Sequence, residues 1–306
     1  MTAVFLSLVN TMKLLSSLSE IPELQKDNVH IRDKEEFLQK VNKMIKDGHN
    51  KLQIVTDFDH TLTRHSLDNG NVVLTSFGMF RECPSIPQHY KDEDNRLSGI
   101  YKPIECDPVM SIEEKTQHMI DWYVAAHAML KGVKFPRNEL MDSAHRMVGC
   151  FRKGVPDMIE WSKVHEVPVL VFSAGLGESV LAAMKAANFL LPNVKVVSNF
   201  LALDENDYIV GIEGEVIHTY NKNETAIKHT EYYEMVQQRS NVILMGDNIG
   251  DAGMAEGMEH CDAVIKVGFL NQNAEGNLRN YLNKFDIVFV HEPSVDAVNA
   301  ILKLIL

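Results

Sequence analysis

Residues 57 to 63, Asp57-Phe58-Asp59-His60-Thr61-Leu62-Thr63, follow an apolar run from Leu52 to Thr56 that reads as a buried strand. Two carboxylates two positions apart after a strand reach one crevice, one directly and one from the turn. Where their environments separate their pKa values, one can serve as nucleophile and the other as general acid. Such a pair suits a phosphomonoester if Mg2+ keeps Asp57 ionised and offsets the phosphate's charge. A bare D-x-D also occurs in surface turns and calcium loops; the strand before it and Thr61 and Thr63 after it give the motif its weight.

Three further clusters carry matching chemistry. Ser173-Ala174-Gly175-Leu176-Gly177 follows the run Val167 to Phe172 and opens a helix, where a hydroxyl and backbone N–H groups can seat an anion. Serine is equally welcome there as a plain N-cap. Lys222, in Asn221-Lys222-Asn223-Glu224, precedes a helical stretch and can offset phosphoryl charge, although singly it reads as a solvated lysine. Gly246-Asp247-Asn248-Ile249-Gly250-Asp251 ends the run Val242 to Met245; a turn this rich in glycine is also common punctuation. Asp247 is expected as a direct Mg2+ ligand, with Asp251 acting through water or orienting Lys222.

The elements that must position these residues alternate. Apolar runs at 52–56, 167–172, 194–197, 242–245, 263–267 and 287–290 are separated by helical stretches such as Glu178 to Ala187 and Glu224 to Gln238. That pattern predicts an α/β fold with a doubly wound, mostly parallel sheet, which binds ligands beyond the carboxyl ends of its strands. Residues 67–153 break the alternation and predict an inserted, mainly helical cap over a core of residues 1–66 and 154–306. Within the insert, Ile112 to Leu130 and Arg137 to Arg152 read as helices, and Asp68 to Pro108 reads as loop. Tyr208 to Ile217 alternates and carries two glycines, which suggests a hairpin.

Composition narrows the function. The 306 residues carry a formal charge of −12 and no long basic block, which argues against a nucleic-acid polymer as partner. Four cysteines, Cys83, Cys106, Cys150 and Cys261, form no C-x-x-C pair, as expected in a reducing compartment. The apolar stretch Ala3 to Val9 lacks a basic flank and is too short to span a bilayer. It reads instead as an amphipathic first helix continued by Leu14, Leu15 and Leu18, and the chain is expected to be cytoplasmic, off the membrane and monomeric.

The order D-x-D-x-T, Ser, Lys and G-D-x-x-x-D, each after its strand, resembles the haloacid dehalogenase superfamily. Longer strings are similar to the cytosolic 5'-nucleotidase III (pyrimidine 5'-nucleotidase) family from about Ile21 onward: Leu52 to Asp59, Glu105-Cys106-Asp107-Pro108, Phe172 to Gly175, Pro192 to Phe200 and His218 to Asn223. The resemblance implies that Asp57 forms an aspartyl-phosphate and that Asp59 protonates the leaving oxygen and then activates water. It implies Mg2+ held by Asp57, the Asp59 carbonyl and Asp247, phosphate bound by Ser173, Ala174 N–H and Lys222, and substrate contact by Glu105. The substrate expected is a small nucleoside monophosphate, CMP or UMP, 7-methyl-GMP, or both kinds. A phosphatase for another small phosphomonoester, a phosphotransferase and a non-catalytic nucleotide binder are the other readings of the same core.

Base choice falls to the cap. Phe77, Trp122 and Tyr123 can stack on a nucleobase or simply pack inside the cap. Trp122-Tyr123 resembles the pyrimidine-preferring members, whereas Ala126 and the stretch Thr75 to Phe80 resemble the methylguanosine type.

Overall fold

The run Leu52–Thr56 is buried along its whole length and has a parallel strand on each side, which places it at the centre of the molecule. The computed structural model describes residues 13–105, 107, 110–223, 227–228, 230–257 and 261–306. In chain order, β1 (Val29–Ile31), α1 (Lys34–Asp47) and β2 (Leu52–Thr56) precede the inserted helices α2 (Ser76–Arg81), α3 (Gln88–Glu105), α4 (Ile112–Ala128) and α5 (Arg137–Met147). Then come α6 (Val155–Val164), β3 (Val169–Leu176), α7 (Gly177–Ala186), β4 (Val194–Asn199), β5 (Leu201–Leu203) and β6 (Ile209–Ile212). The chain ends with α8 (Glu231–Val236), β7 (Asn241–Gly246), β8 (Ala263–Leu270), α9 (Ala274–Leu282), β9 (Ile287–Val290) and α10 (Asp296–Ile305).

The main sheet has the order β1-β9-β8-β7-β2-β3-β4, parallel except for β1 on β9. From β2 the chain builds outward through β3 and β4, then returns to add β7, β8 and β9 on the other side. The reversal falls between β2 and β7, where the strand ends leave a crevice. Both faces are covered, so the strands are apolar throughout rather than alternating. Ile54, Val169, Ile243 and Ile265 pack on one side with Phe37, Val41 and Met44 of α1. Val55, Leu170, Phe172 and Leu244 pack on the other with Tyr232 and Val236 of α8.

Several expectations need correction. The stretch 68–108 is not loop, since α2 and α3 occupy most of it; its Asn, Asp and Gly residues lie largely before α2 or on exposed faces of α3. Within the insert, α3 and α4 pack on each other, and Tyr90 near the start of α3 is buried in the main core. Met79 and Phe80 of α2 and Leu140, Ala144 and Met147 of α5 share one apolar core with Val180, Ala183 and Met184 of α7. The expected helix 137–152 stops at Met147 and continues as a 3-10 turn, Val148–Cys150. The hairpin pairs β5 with β6, so its first strand lies upstream of Tyr208. β1, too short to show a pattern, was not foreseen.

Ala3 to Val9 and Cys106 lie outside the described residues, as do Glu224 to Ala226 and His229 in the expected helix 224–238, of which Glu231–Val236 form α8. Leu15 and Leu18 are buried but Leu14 is half exposed, so the three do not share one apolar face. Among the described residues no helix is long and apolar enough to cross a membrane.

Candidate active site

The ends of β2 and β7 and the segment between β6 and α8 bring the acidic and basic residues together. Asp57 leaves β2 with its backbone N–H on the carbonyl of Met245 in β7, which fixes the aspartate at the strand's end. Lys222 donates to Oδ1 of Asp57 at 2.6 Å and to Oδ1 of Asp251 at 2.8 Å, and all three residues are buried. Asp247 joins them: Asp57, Asp247 and Asp251 each offer a carboxylate oxygen within 4.8 Å of the others. Thr61 Oγ1 lies 3.4 Å from Oδ1 of Asp247.

The turn after β7 has its own cap. Asn248 N–H donates to Oδ2 of Asp251 at 2.9 Å, and Gly250 N–H donates to Oδ1 of Asn248 at 3.0 Å, forming a capping box over the 3-10 turn Ile249–Gly253. Gly246 is required beneath it, because a Cβ there would sit 2.3 Å from Cβ of Asp251.

Three carboxylates against one ammonium leave the cluster short of positive charge. Burial, opposed by the neighbouring Lys222, pushes Asp57 up to about 7. Burial and the charges of Asp57 and Asp251 hold Asp247 well above the usual carboxylate range. Burial works against the charged amine of Lys222, yet Asp251 and Asp57 raise it above its ordinary value. Such a hard, oxygen-only set fits a divalent cation, whose charge would let all three carboxylates ionise.

Asp59 is held apart from this cluster. Ser76, the first residue of α2, donates its N–H to Oδ1 at 2.7 Å and its hydroxyl to Oδ2 at 2.6 Å. Burial raises the pKa of Asp59 and the Ser76 bonds oppose that rise. Of the two carboxylates of the motif, Asp57 meets Lys222 and Asp59 meets Ser76.

Ser173 and Ala174 lie inside the irregular end of β3 rather than after it, where the ladder to β4 shifts between Phe172 and Leu176. Gly175 N–H donates to Ser173 Oγ at 3.0 Å, leaving the hydroxyl proton of Ser173 for another acceptor. The Ala174 carbonyl accepts from Asn199 at 2.8 Å and from the hydroxyl of Tyr123 at 2.9 Å, a direct bond between α4 and this loop.

Glu105, the last residue of α3, reaches the same crevice. Its Oε1 accepts from Thr219 Oγ1 at 2.6 Å. Burial raises its pKa and the Thr219 bond opposes the rise. With Tyr220, Lys222 and Asn248 it lines a groove of about 910 Å³ that runs beside the acidic cluster toward α1 and α9.

Of the aromatic candidates, Phe77 lies on α2 rather than in a loop and meets Tyr123 edge-on, ring centres 6.0 Å apart. Trp122 stacks on Tyr101 of α3 at 5.7 Å and 11°. Ala126 is buried beside them on α4.

Two residues near the site gave no signal in the sequence. Ser76 stands in the stretch that reads as loop, where Thr75 to Phe80 draws notice only for its resemblance to the methylguanosine type; the structure makes it the first residue of α2. Arg152 is fully buried and donates to the carbonyls of Thr61 at 2.8 Å and His60 at 2.6 Å, to that of Glu292, and to Oδ1 of Asn271 at 2.9 Å. It clamps the turn after Asp59, in which His60 has φ +61°, to the ends of β8 and β9.

The mostly parallel sheet with an acidic crevice at its switch point is a fold of the haloacid dehalogenase-like class. A family hydrolase of that type from Salmonella enterica serovar Typhi superposes with a TM-score of 0.54 at 13% identity, over 84% of this chain and 73% of that one, a likeness of fold alone. The model of the pyrimidine 5'-nucleotidase (UMPH-1) family matches residues 60–306, beginning one residue after Asp59. The 7-methylguanosine phosphate-specific 5'-nucleotidase of Drosophila melanogaster is 40% identical over 289 residues, 94% of this chain and 90% of that one. The crystal structure of cytosolic 5'-nucleotidase IIIB bound to cytidine superposes with a TM-score of 0.91 at 39% identity, covering 94% of this chain and 97% of that one. The chain belongs to the pyrimidine 5'-nucleotidase (UMPH-1) family of hydrolytic nucleotidases.

Proposed function

We propose that this chain is a magnesium-dependent 5'-nucleotidase that converts nucleoside 5'-monophosphates, CMP and 7-methyl-GMP foremost, to nucleoside and phosphate. The observation that carries the reading is the seat of Asp57, a buried carboxylate 2.6 Å from Lys222 with Asp247 and Asp251 beside it. Asp57, the Asp59 carbonyl and Asp247 would hold Mg2+, which would supply the charge neutralisation an anionic nucleophile needs to approach an anionic phosphate.

The side chains do the rest. Asp57 attacks phosphorus and forms an acyl phosphate as the bond to the nucleoside O5' breaks. Asp59, raised by burial and steadied by Ser76, gives its proton to that oxygen and then takes one from the water that cleaves the acyl phosphate. Lys222, the free hydroxyl proton of Ser173 and the N–H of Ala174 bind the phosphoryl oxygens. Asp251 holds Lys222 in place. Residues 67–153 act as the cap, in which Glu105 reads the base edge and Phe77, Tyr123, Trp122 and Ala126 shape its pocket.

The names of the relatives support both substrate kinds, one being specific for 7-methylguanosine phosphate and one solved with cytidine. The protein works as a cytoplasmic monomer without nucleic-acid or membrane partners. Phosphate release from CMP, UMP, 7-methyl-GMP and glucose 6-phosphate, with Mg2+ or with EDTA, tests this. Metal-dependent turnover of nucleotides that is lost in Asp57→Asn is expected; preference for the phosphosugar would overturn it.

A further inference from the structure

The segment that supplies Lys222 also holds the cap. Thr219 donates its hydroxyl to Oε1 of Glu105, and the next residue, Tyr220, donates its hydroxyl to the Glu105 carbonyl at 2.7 Å. Lys115 of α4 donates to that carbonyl as well, at 3.1 Å. Glu105 is thus fixed at both its main chain and its side chain.

It needs fixing. A carboxylate on the last residue of a helix faces the negative end of the helix dipole, and α3 also contains Pro103, which removes a backbone donor just before that end. The Thr219 hydroxyl offsets part of that penalty and selects one orientation. Thr219 is itself immobilised, because Gly250 packs against it so closely that a Cβ there would lie 2.5 Å from its Cγ2 and 2.8 Å from its carbonyl oxygen. Gly250 belongs to the turn carrying Asp247 and Asp251.

Among the described residues, Oε1 of Glu105 has a hydrogen-bond partner and Oε2 has none, and the residue lines the groove beside Lys222. We infer that Thr219 is a positioning residue for base selection: it ties up Oε1 so that Oε2 is presented to a base carrying an amino donor or a positive charge. A carboxylate accepts from the amino group of cytosine, whereas uracil offers a carbonyl oxygen at the equivalent place. Uridine nucleotides therefore gain least from a well-aimed Glu105. The inference rests on the nucleotidase reading above and adds a determinant of substrate class to it.

The test compares kcat and KM for CMP and UMP in the full chain, in Thr219→Val and in Thr219→Ser. Valine keeps the shape of threonine and removes the hydroxyl. The CMP-to-UMP ratio of kcat/KM is expected to fall about tenfold in Thr219→Val, the scale of one hydrogen bond to a charged group. Most of the change is expected in KM for CMP, and Thr219→Ser is expected to restore the ratio. Equal losses for CMP and UMP, or a serine variant no better than valine, would overturn the role of Thr219. Turnover of the unaltered chain reports separately on the nucleotidase reading, since absence of any nucleotide hydrolysis there sinks that reading and leaves no ratio to explain.

Discussion

The hydroxyl of Tyr123 on α4 donates to the carbonyl of Ala174 at 2.9 Å, so the cap is hydrogen-bonded to the backbone of the loop expected to bind phosphate. Burial holds that hydroxyl far above the ordinary phenol range, which keeps it a donor. Tyr123→Phe removes the donor and keeps the ring. It is expected to lower kcat/KM for all nucleotides by about fivefold, the scale of one neutral hydrogen bond. Tyr123→Trp removes the same bond and enlarges the ring. Steady-state kinetics separates the effects: a shift in the preference between CMP and 7-methyl-GMP seen only with Trp assigns base choice to ring area.

The acidic cluster predicts a metal-dependent stability. A cation that binds only the folded state raises the unfolding midpoint in proportion to the logarithm of its concentration. Thermal unfolding is expected to move upward with Mg2+ and return with EDTA, and Asp247→Asn is expected to flatten the response. An Asp247→Asn variant as responsive as the parent would remove Asp247 from the metal site.

His127 makes a pH prediction away from the chemistry. It packs against Phe77 and Tyr123, neither ring nitrogen has a hydrogen-bond partner, and burial pulls its pKa from 6.5 to about 4. Above pH 6.5 the imidazole is neutral in both folded and unfolded chains and contributes no pH dependence. As pH falls from 6.5 toward 4 the unfolded chain takes up the proton first, so the folded state loses stability, by about 3 kcal/mol at most. Urea unfolding of His127→Phe across that window is expected to show a shallower loss. Identical pH slopes in the two proteins would mean that His127 finds a proton acceptor when folded.

Residues that follow a strand were legible from the pattern alone, whereas Lys222 and Glu105 carried little weight until the family resemblance singled them out, and Ser76 and Arg152 were not singled out at all. Asp57 and Asp247 announce themselves because a continuous apolar run ends at each of them. Ser76 and Arg152 carry no such marker: one is a serine at an ordinary helix start, the other an arginine whose partners are backbone carbonyls up to 140 residues away. The helices at 76–105 were hidden for a related reason. Gly, Pro, Asn and Asp lower helix propensity, and packing of Met79, Phe80 and Tyr90 into the core outweighs it.

Gly175 and Ser76 form a pair whose effects should not add. A Cβ on Gly175 would lie 1.9 Å from Oγ of Ser76, 3.0 Å from its Cβ and 2.9 Å from Oδ2 of Asp59, so no side chain fits while Ser76 holds Asp59. Ser76→Ala removes one of the two bonds to Asp59 and is expected to lower kcat about tenfold with little change in KM, since an acid acting at the leaving oxygen loses its aim. Gly175→Ala is expected to lower kcat further and to destabilise the fold by about 2 kcal/mol, because it must push both Ser76 and Asp59 aside. In the double variant the worst contact is gone and the remaining two are tight. The double variant should therefore be more stable than the sum of the singles predicts, by about 1 kcal/mol in a urea double-mutant cycle. Strict additivity would show that Gly175 is required for the path of the backbone and not for the approach of Ser76 to Asp59.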